Sequence, residues 1–288
     1  MIAPRAGAGQ LRVRVTAAGL NPMDWFMTSD AGTAARFGLS LPAGFGTDYA
    51  GVVDQVGDGV AGFAVGERVY GAALSRAVAD FVVIDAAGTA TSGGDIHHTP
   101  DGLDDRTAAT LAIAGSTAAA ALAVIGAGAG DTVLLGGAAG GVGVFALQLA
   151  RRAGARVIGT GSPASFDFLR NLGAEPVAYG EGLAERVREV APSGITAAAD
   201  LYGTEAALTA RELGVPDARI TAIAALIDGI TAANGANAAP GALDEIARLV
   251  AAKELRVPIA ASFPVEQIRD AVEVQAGRHV HGKVVIDL

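Results

Sequence analysis

One segment constrains the fold of this chain more than any other: residues 132–160, TVLLGGAAGGVGVFALQLARRAGARVIGT. It reads as strand, glycine turn, helix and strand. Thr132–Leu135 is a short apolar β run, and Gly136–Gly143 is too rich in glycine to hold regular structure. Val144–Arg152 has helical periodicity, and Arg156–Thr160 is a second apolar strand. Within the turn, Ala138-Ala139-Gly140-Gly141-Val142-Gly143 follows the pattern GxGxxG with alanine at its first position. A bound diphosphate needs backbone N–H donors at a helix N-terminus and glycines that let the backbone come close. Alone the pattern says little. Between a strand and a helix, in a βαβ unit of this length, it points to a dinucleotide site built from Ala138, Gly140, Gly141, Val142 and Gly143. The same residues also suit a packing turn of small side chains that binds nothing.

Composition narrows the class. A chain of 288 residues exceeds what one compact core usually covers, so two domains are expected. Hydrophobic residues make up 51% and mean hydropathy is +0.41, which calls for a large buried core rather than disorder. A net charge of −9 sets nucleic acid and anionic membrane surfaces aside as partners. There is no cysteine, which excludes disulfides and thiolate metal sites. The opening residues MIAPRAGAGQ lack the apolar core of a secretory signal, so a cytoplasmic protein is expected. Between Thr107 and Ala150 the only charge is Asp131, which imitates a membrane span. Its alanines, Ser116, Thr117 and glycine-dense turn argue against one, and a parallel sheet buried on both faces produces the same uncharged run.

Residues 11–91 read as β-rich, with strands at Leu11–Val15, Tyr49–Val56, Glu67–Tyr70 and Ala79–Ile84 and turns at Gly57, Gly59, Gly62 and Gly66. A polar loop, Asp101–Asp105, leads into an alanine-rich helix predicted over Arg106–Gly126. From Thr132 strands and helices alternate. Strands are predicted at Val133–Leu135, Arg156–Gly159, Pro176–Tyr179, Ala197–Leu201 and Arg219–Ala224, and helices at Val144–Ala153, Ser165–Leu172 and Gly182–Glu189. That alternation predicts a doubly wound parallel sheet. Helices at Ala242–Ala252 and Val265–Gln275 and a closing strand at Lys283–Asp287 complete the chain.

Several phrases recur in a known order: Ala17–Asp24 (AAGLNPMD), Gly46–Val53 (GTDYAGVV), Val65–Tyr70 (VGERVY), Ala114–Ala118 (AGSTA), Gly137–Gly143, and the closing His281–Val285 (HGKVV). Together they resemble the zinc-free quinone oxidoreductases, the zeta-crystallin-like branch of the medium-chain dehydrogenase/reductase superfamily. The resemblance implies an α/β protein in which a Rossmann domain, a doubly wound parallel sheet, is inserted in a GroES-like, β-rich catalytic domain. The expected divisions are 1–102 for the first part of the catalytic domain, 103–252 for the Rossmann domain and 253–288 for the return. Relatives begin with an extra strand pair before the segment matching Leu11–Val15, so the expectation is either an N-terminally shortened catalytic domain or a start that lies upstream of Met1. The resemblance also implies NADPH-dependent hydride transfer to a small quinone or enone, in a homodimer.

Zinc-dependent relatives carry cysteine, histidine and cysteine where this chain has Asn21, Thr47 and Ala114, none of them an N/S ligand for zinc. No metal is therefore expected, and His97-His98 and His279-x-His281 are taken as solvated polar residues. Without a Lewis acid simple alcohol oxidation is disfavoured, whereas an enone or quinone needs only hydrogen-bond donors. The family places polar groups near nicotinamide and substrate at Asn21 and Asp24. Asn21 suits a hydrogen-bond donor or a turn former equally, and Asp24 suits ordering of the loop. The end of the second Rossmann strand, Thr160–Ser165, holds no carboxylate to select NAD, which leaves room for the 2′-phosphate of NADP. Ser162 and Tyr179 match family positions that contact this phosphate, but Ala164 stands near a position where many relatives have Lys or Arg. Thr117 maps beside the nicotinamide ribose, or is a helix hydroxyl bonded to its own chain. Ile223 marks a strand end whose backbone meets the nicotinamide amide. Phe26 replaces a tyrosine found near the substrate in some relatives. Trp25, Phe26, Phe37 and Phe45 suit either an apolar pocket or the core. Two other activities fit the same residues: an enoyl-thioester or polyketide tailoring reductase, and an NADPH-binding sensor or structural protein with little turnover. A hydrolase is disfavoured because no GxSxG elbow is present.

Overall fold

The computed structural model describes residues 3–88 and 94–288, so the last residues of the β-rich stretch expected over 11–91 fall outside it. The chain divides into two compact units, residues 1–113 with 243–288, and residues 114–242. In chain order the first unit begins with β1 (Gln10–Leu20), α1 (Pro22–Met27), α2 (Ala31–Arg36), β2 (Asp48–Val56), β3 (Arg68–Ala72), β4 (Phe81–Asp85), β5 (His97–His98) and α3 (Asp105–Ala108). Helix α4 (Ala112–Ile125) opens the second unit. There follow β6 (Thr132–Gly136), α5 (Gly143–Arg152), β7 (Arg156–Gly161), α6 (Phe166–Leu172), β8 (Glu175–Ala178), α7 (Leu183–Val190), β9 (Ala197–Asp200), α8 (Glu205–Glu212), β10 (Ile220–Ala222) and β11 (Thr231–Ala232). The chain then returns to the first unit with α9 (Ala242–Ala251), β12 (Ile259–Pro264), α10 (Ile268–Ala276) and β13 (Lys283–Asp287).

The first unit is built on a mixed sheet of order β12-β13-β1-β2-β3-β5, with β4 also paired to β1. Strand β1 is longer than its alternating stretch predicted because Ala17–Leu20 continue it, pairing with both β2 and β13. Leu11, Val13 and Val15 point inward at period two and meet Tyr49, Val53, Val82, Ile84, Val284 and Ile286 in one core. Each fully buried side chain of this size contributes on the order of 2 kcal/mol.

The second unit is a parallel sheet of order β11-β10-β9-β6-β7-β8, which runs 3-2-1-4-5-6 when read from the other edge. Its central row, Ile220, Ala198, Leu134 and Ile158, lies in register across four strands and is fully buried. Helices on both faces explain why these strands read as unbroken apolar runs rather than alternating ones. Among the described residues no helix is long and apolar enough to cross a membrane.

The alanine-rich helix predicted over Arg106–Gly126 is two helices. Asp104 caps α3 by accepting the Thr107 N–H. The chain then tightens, with Thr110 N–H bonded to the Thr107 carbonyl at 3.0 Å and Leu111 N–H to that of Ala108 at 3.2 Å, before α4 starts. The Ala109 carbonyl oxygen at this break is packed so closely on Gly19 that a Cβ there would collide with it. Composition favours helix throughout; packing against β1 interrupts it.

Candidate functional site

In a parallel sheet every strand ends at the same edge, and the residues that leave those ends share it. In the second unit β6 runs into the turn 137–142 and then α5. Ala138 is fully buried, Ala139, Gly140, Gly141 and Val142 are partly exposed, and Gly143 is buried as the first residue of α5. Gly137, at φ +67°, turns the chain, and its N–H donates to Thr160 Oγ1 at 3.2 Å. A Cβ on Gly143 would collide with the Gly137 carbonyl oxygen and stand 2.5 Å and 2.6 Å from the carbonyl O and C of Ala138. Close packing thus excludes any side chain at Gly143. At Gly140 an added Cβ would meet only the Gly137 oxygen, at 3.3 Å. The backbone is open there; the N–H groups of Gly140, Val144, Phe145 and Ala146 are spent on carbonyls of the turn, which leaves those of Gly141, Val142 and Gly143 at the helix start to meet a ligand. This cradle fits a diphosphate.

β6 stands between β7 and β9, so the direction of winding reverses at the crevice next to the glycine turn. The other cofactor candidates follow adjacent strand ends. Ser162, partly exposed, follows β7 and precedes the short helical turn Pro163–Ser165. Gly161 pairs with Ala178, so Tyr179, 53% exposed, leaves β8 beside it. Arg186 holds that exit by donating to the carbonyls of Ala178 at 2.9 Å, Gly180 at 2.8 Å and Glu181 at 2.8 Å. Ile223 follows β10, shorter than predicted, and its N–H donates to the Asp200 carbonyl at 3.1 Å. Asp200 itself is spent on structure: its carboxylate accepts the N–H groups of Tyr202, Gly203 and Ala206. Thr117 is half-buried in α4.

The first unit holds a second group of polar side chains. Asn21 and Asp24 are 5% and 1% exposed, and beside them Thr47, Asp48 and Lys283 are buried too. The register explains the meeting. Gly19 of β1 pairs with Asp48, and Leu20 with Val284, so Asn21 at the end of β1 lies level with Lys283 at the start of β13. Lys283 Nζ donates to Asn21 Oδ1 at 2.6 Å, and Asn21 Nδ2 donates to Asp48 Oδ2 at 2.9 Å. Lys283 Nζ lies 3.5 Å from the same Asp48 oxygen, while Asp48 Oδ1 accepts the Ile113 N–H at 2.9 Å. Asp24 braces the start of α1: Oδ2 accepts the Asn21 N–H at 2.8 Å and Oδ1 the Thr47 hydroxyl at 2.7 Å.

Burial dominates the electrostatics here. It pushes the Asp24 carboxyl up to about 7, against the hydrogen bonds from Thr47 and Asn21, with the Asp48 charge adding to the rise. It also raises Asp48, a shift opposed by the Lys283 charge and the bonds from Asn21 and Ile113. The Lys283 ammonium is lowered by burial and supported by the charges of Asp48 and Asp24.

The sequence reading missed Asp48 and Lys283. The signal it passed over was a charge opening each of two apolar strands, DYAGVV and KVVI, where an exposed end residue is the ordinary expectation. His97 corrects the expectation of solvated histidines: it is half-buried, with Nδ1 2.8 Å from Asp244 Oδ1 and its ring stacked on Tyr70. His98 is exposed. Phe26 and Phe37, 50% and 40% exposed, form an edge-to-face pair on the surface, whereas Phe45 packs on the core and Trp25 Nε1 bonds Gln275.

Comparison with known proteins matches residues 7–166 to the alcohol dehydrogenase GroES-like domain family and residues 172–286 to the zinc-binding dehydrogenase family. The chain is similar to the phthioceranic/hydroxyphthioceranic acid synthase of Mycobacterium tuberculosis, 32% identical across 98% of this chain but only 14% of the synthase. It is also similar to the quinone oxidoreductase of Rattus norvegicus, 35% identical over 56% of this chain and 46% of that enzyme. The chain thus spans a small part of the first of these relatives and about half of the second. Among solved structures, the quinone oxidoreductase from Coxiella burnetii superposes with a TM-score of 0.85 at 27% identity, covering 100% of this chain and 93% of the other.

Proposed function

The chain belongs to the medium-chain dehydrogenase/reductase superfamily of oxidoreductases, and from that premise we propose that it is a zinc-independent, NADPH-dependent reductase of quinones and other activated enones. The observation that carries this reading is the hydrogen-bonded set around Asn21 and Thr47. These residues stand where zinc-dependent relatives have metal ligands. Here their side chains are an amide and a hydroxyl committed to Lys283, Asp48 and Asp24, a donor set that zinc does not select. A substrate that needs no Lewis acid suits it.

A bound nicotinamide supplies the hydride. The glycine turn and the start of α5 hold the diphosphate through backbone N–H groups. The exit of β7 carries no carboxylate, so Ser162 and Tyr179 accept a 2′-phosphate without repulsion from that strand end. Thr117 bonds the ribose, and the backbone at Ile223 meets the carboxamide. Asn21 donates an N–H to the substrate oxygen as negative charge arrives on it, and Asp24 keeps Asn21 in place at the head of α1. The protein is proposed to act as a homodimer.

Similarity to a segment of the phthioceranic/hydroxyphthioceranic acid synthase favours a second substrate class, an enoyl thioester. One experiment separates the readings: oxidation of NADPH and NADH followed by absorbance, with 9,10-phenanthrenequinone, 1,4-benzoquinone or a crotonyl thioester as acceptor, with and without chelator. Chelator-insensitive quinone turnover that prefers NADPH supports the first reading, and turnover with the thioester alone supports the second. Cofactor binding without turnover by any acceptor refutes both and leaves the sensor.

A further inference from the structure

We propose that Lys283 is a positioning residue for the Asn21 side chain, holding its amide in the one orientation that presents an N–H to the substrate oxygen. The inference rests on the proposed role of Asn21 as donor.

An asparagine amide is nearly symmetric in shape, and its orientation is set by what faces its two ends. Here the ends are opposite in kind. The Lys283 ammonium faces Oδ1 at 2.6 Å, and the Asp48 carboxylate faces Nδ2 at 2.9 Å. Turning the amide over would set an NH2 group against the ammonium and a carbonyl against the carboxylate, two repulsive contacts in place of two charge-assisted bonds. Asn21, Asp48 and Lys283 are each 5% exposed or less, so water is not at hand to relieve either contact. Nδ2 has two hydrogens. Asp48 takes one, leaving the other for a ligand.

Stability alone gives little reason for this arrangement. Replacing a buried ion pair by apolar side chains of similar volume is often neutral or stabilising. The best-attested use of such a pair is to impose one arrangement on its neighbours. The neighbour here is the amide that joins the two charges, and the three residues come from the ends of three adjacent strands. Lys283 and Asn21 are 262 residues apart in sequence, so strand register alone brings them together.

The test uses the whole protein with NADPH and 9,10-phenanthrenequinone. Asp48 accepts from both Ile113 and Asn21, so it is left unchanged, and the comparison is between two variants that strand its charge alike. In Lys283→Gln an amide N–H is retained to donate to Asn21 Oδ1, whereas in Lys283→Met nothing donates there. The expected result is a kcat for the methionine variant lower than that of the glutamine variant by roughly tenfold or more, with KM and NADPH affinity alike in the two. In an Asn21→Ala background the two variants should have equal kcat. Equal kcat in the two folded variants, or an additive loss in the Asn21→Ala background, overturns the inference. If the methionine variant does not fold, the glutamine variant decides: a kcat lowered in the wild-type background but not further in the Asn21→Ala background supports the inference, and an equal loss in both backgrounds, or none in either, overturns it. Wild-type protein without turnover overturns the functional reading, and this inference with it. Turnover insensitive to Lys283 overturns the inference alone.

Discussion

Replacing Asp24 by asparagine should remove a pH-dependent loss of stability from the first unit. Burial holds the Asp24 carboxyl at about 7 in the folded chain, against 3.8 for the free side chain. Between those values the unfolded chain releases a proton that the folded chain keeps. The stability this group contributes is therefore complete below its unfolded pKa and is lost as pH rises through its folded pKa. A difference of about three pKa units corresponds to roughly 4 kcal/mol over the whole window, of which about 3 kcal/mol falls between about pH 5 and about pH 8. Asparagine fits the same bonds without the charge. Its Oδ1 accepts the Asn21 N–H, and its Nδ2 donates to Thr47 Oγ1 once that hydroxyl turns. The wild type should therefore lose stability relative to Asp24→Asn as pH rises, while other titrations affect both proteins alike. Trp25 is the only tryptophan in the chain, stands next to Asp24 and bonds Gln275, so its fluorescence reports unfolding of this unit. Urea denaturation at about pH 5 and about pH 8 gives the two stabilities. A difference between wild type and variant that does not change with pH refutes the reasoning.

Three further outcomes follow from other sites. Gly143→Ala puts a Cβ within 2.6 Å of the backbone of fully buried Ala138, so thermal unfolding should come several degrees earlier, a loss on the order of 1–3 kcal/mol; an unchanged Tm rejects the packing account. Gly140→Ala meets only one oxygen at 3.3 Å and should change Tm little, yet weaken NADPH binding about tenfold or more if the proposed diphosphate site is right, because its Cβ would stand in that approach; unchanged affinity by titration calorimetry means that no diphosphate lies there. Burial lowers the His97 pKa, but the bonds and charges of Asp95 and Asp244 outweigh it and leave the group raised. Its contribution to stability is thus complete below about pH 6.5 and is lost as pH rises through the raised value, and Asp244→Asn should shrink that loss in Tm measured from about pH 6 to about pH 9.

The glycine turn and its flanking elements were legible because their signals are local. Period-two and period-3.6 patterns, and the need for glycine where backbone packs on backbone, show within a few residues of one another. Observed and predicted bounds of β6, α5 and β7 therefore agree closely. The break between α3 and α4 was not legible, since Ala109 packs on Gly19 from a distant part of the chain. Nor was the ion pair of His97, whose partner lies 147 residues away.

Order along the chain thus sets the family, the two kinds of sheet and the position of the cradle, each a property of short segments. Tertiary structure alone decides which polar groups are buried and what they face. Asn21 and Asp24 read as turn formers in sequence, and a lysine and an aspartate at strand ends read as surface charges. Strand register, with the start of α1, removes all four from water and brings them together with Thr47 and the Ile113 N–H, and an ionisable group without water must either find a partner or change its charge.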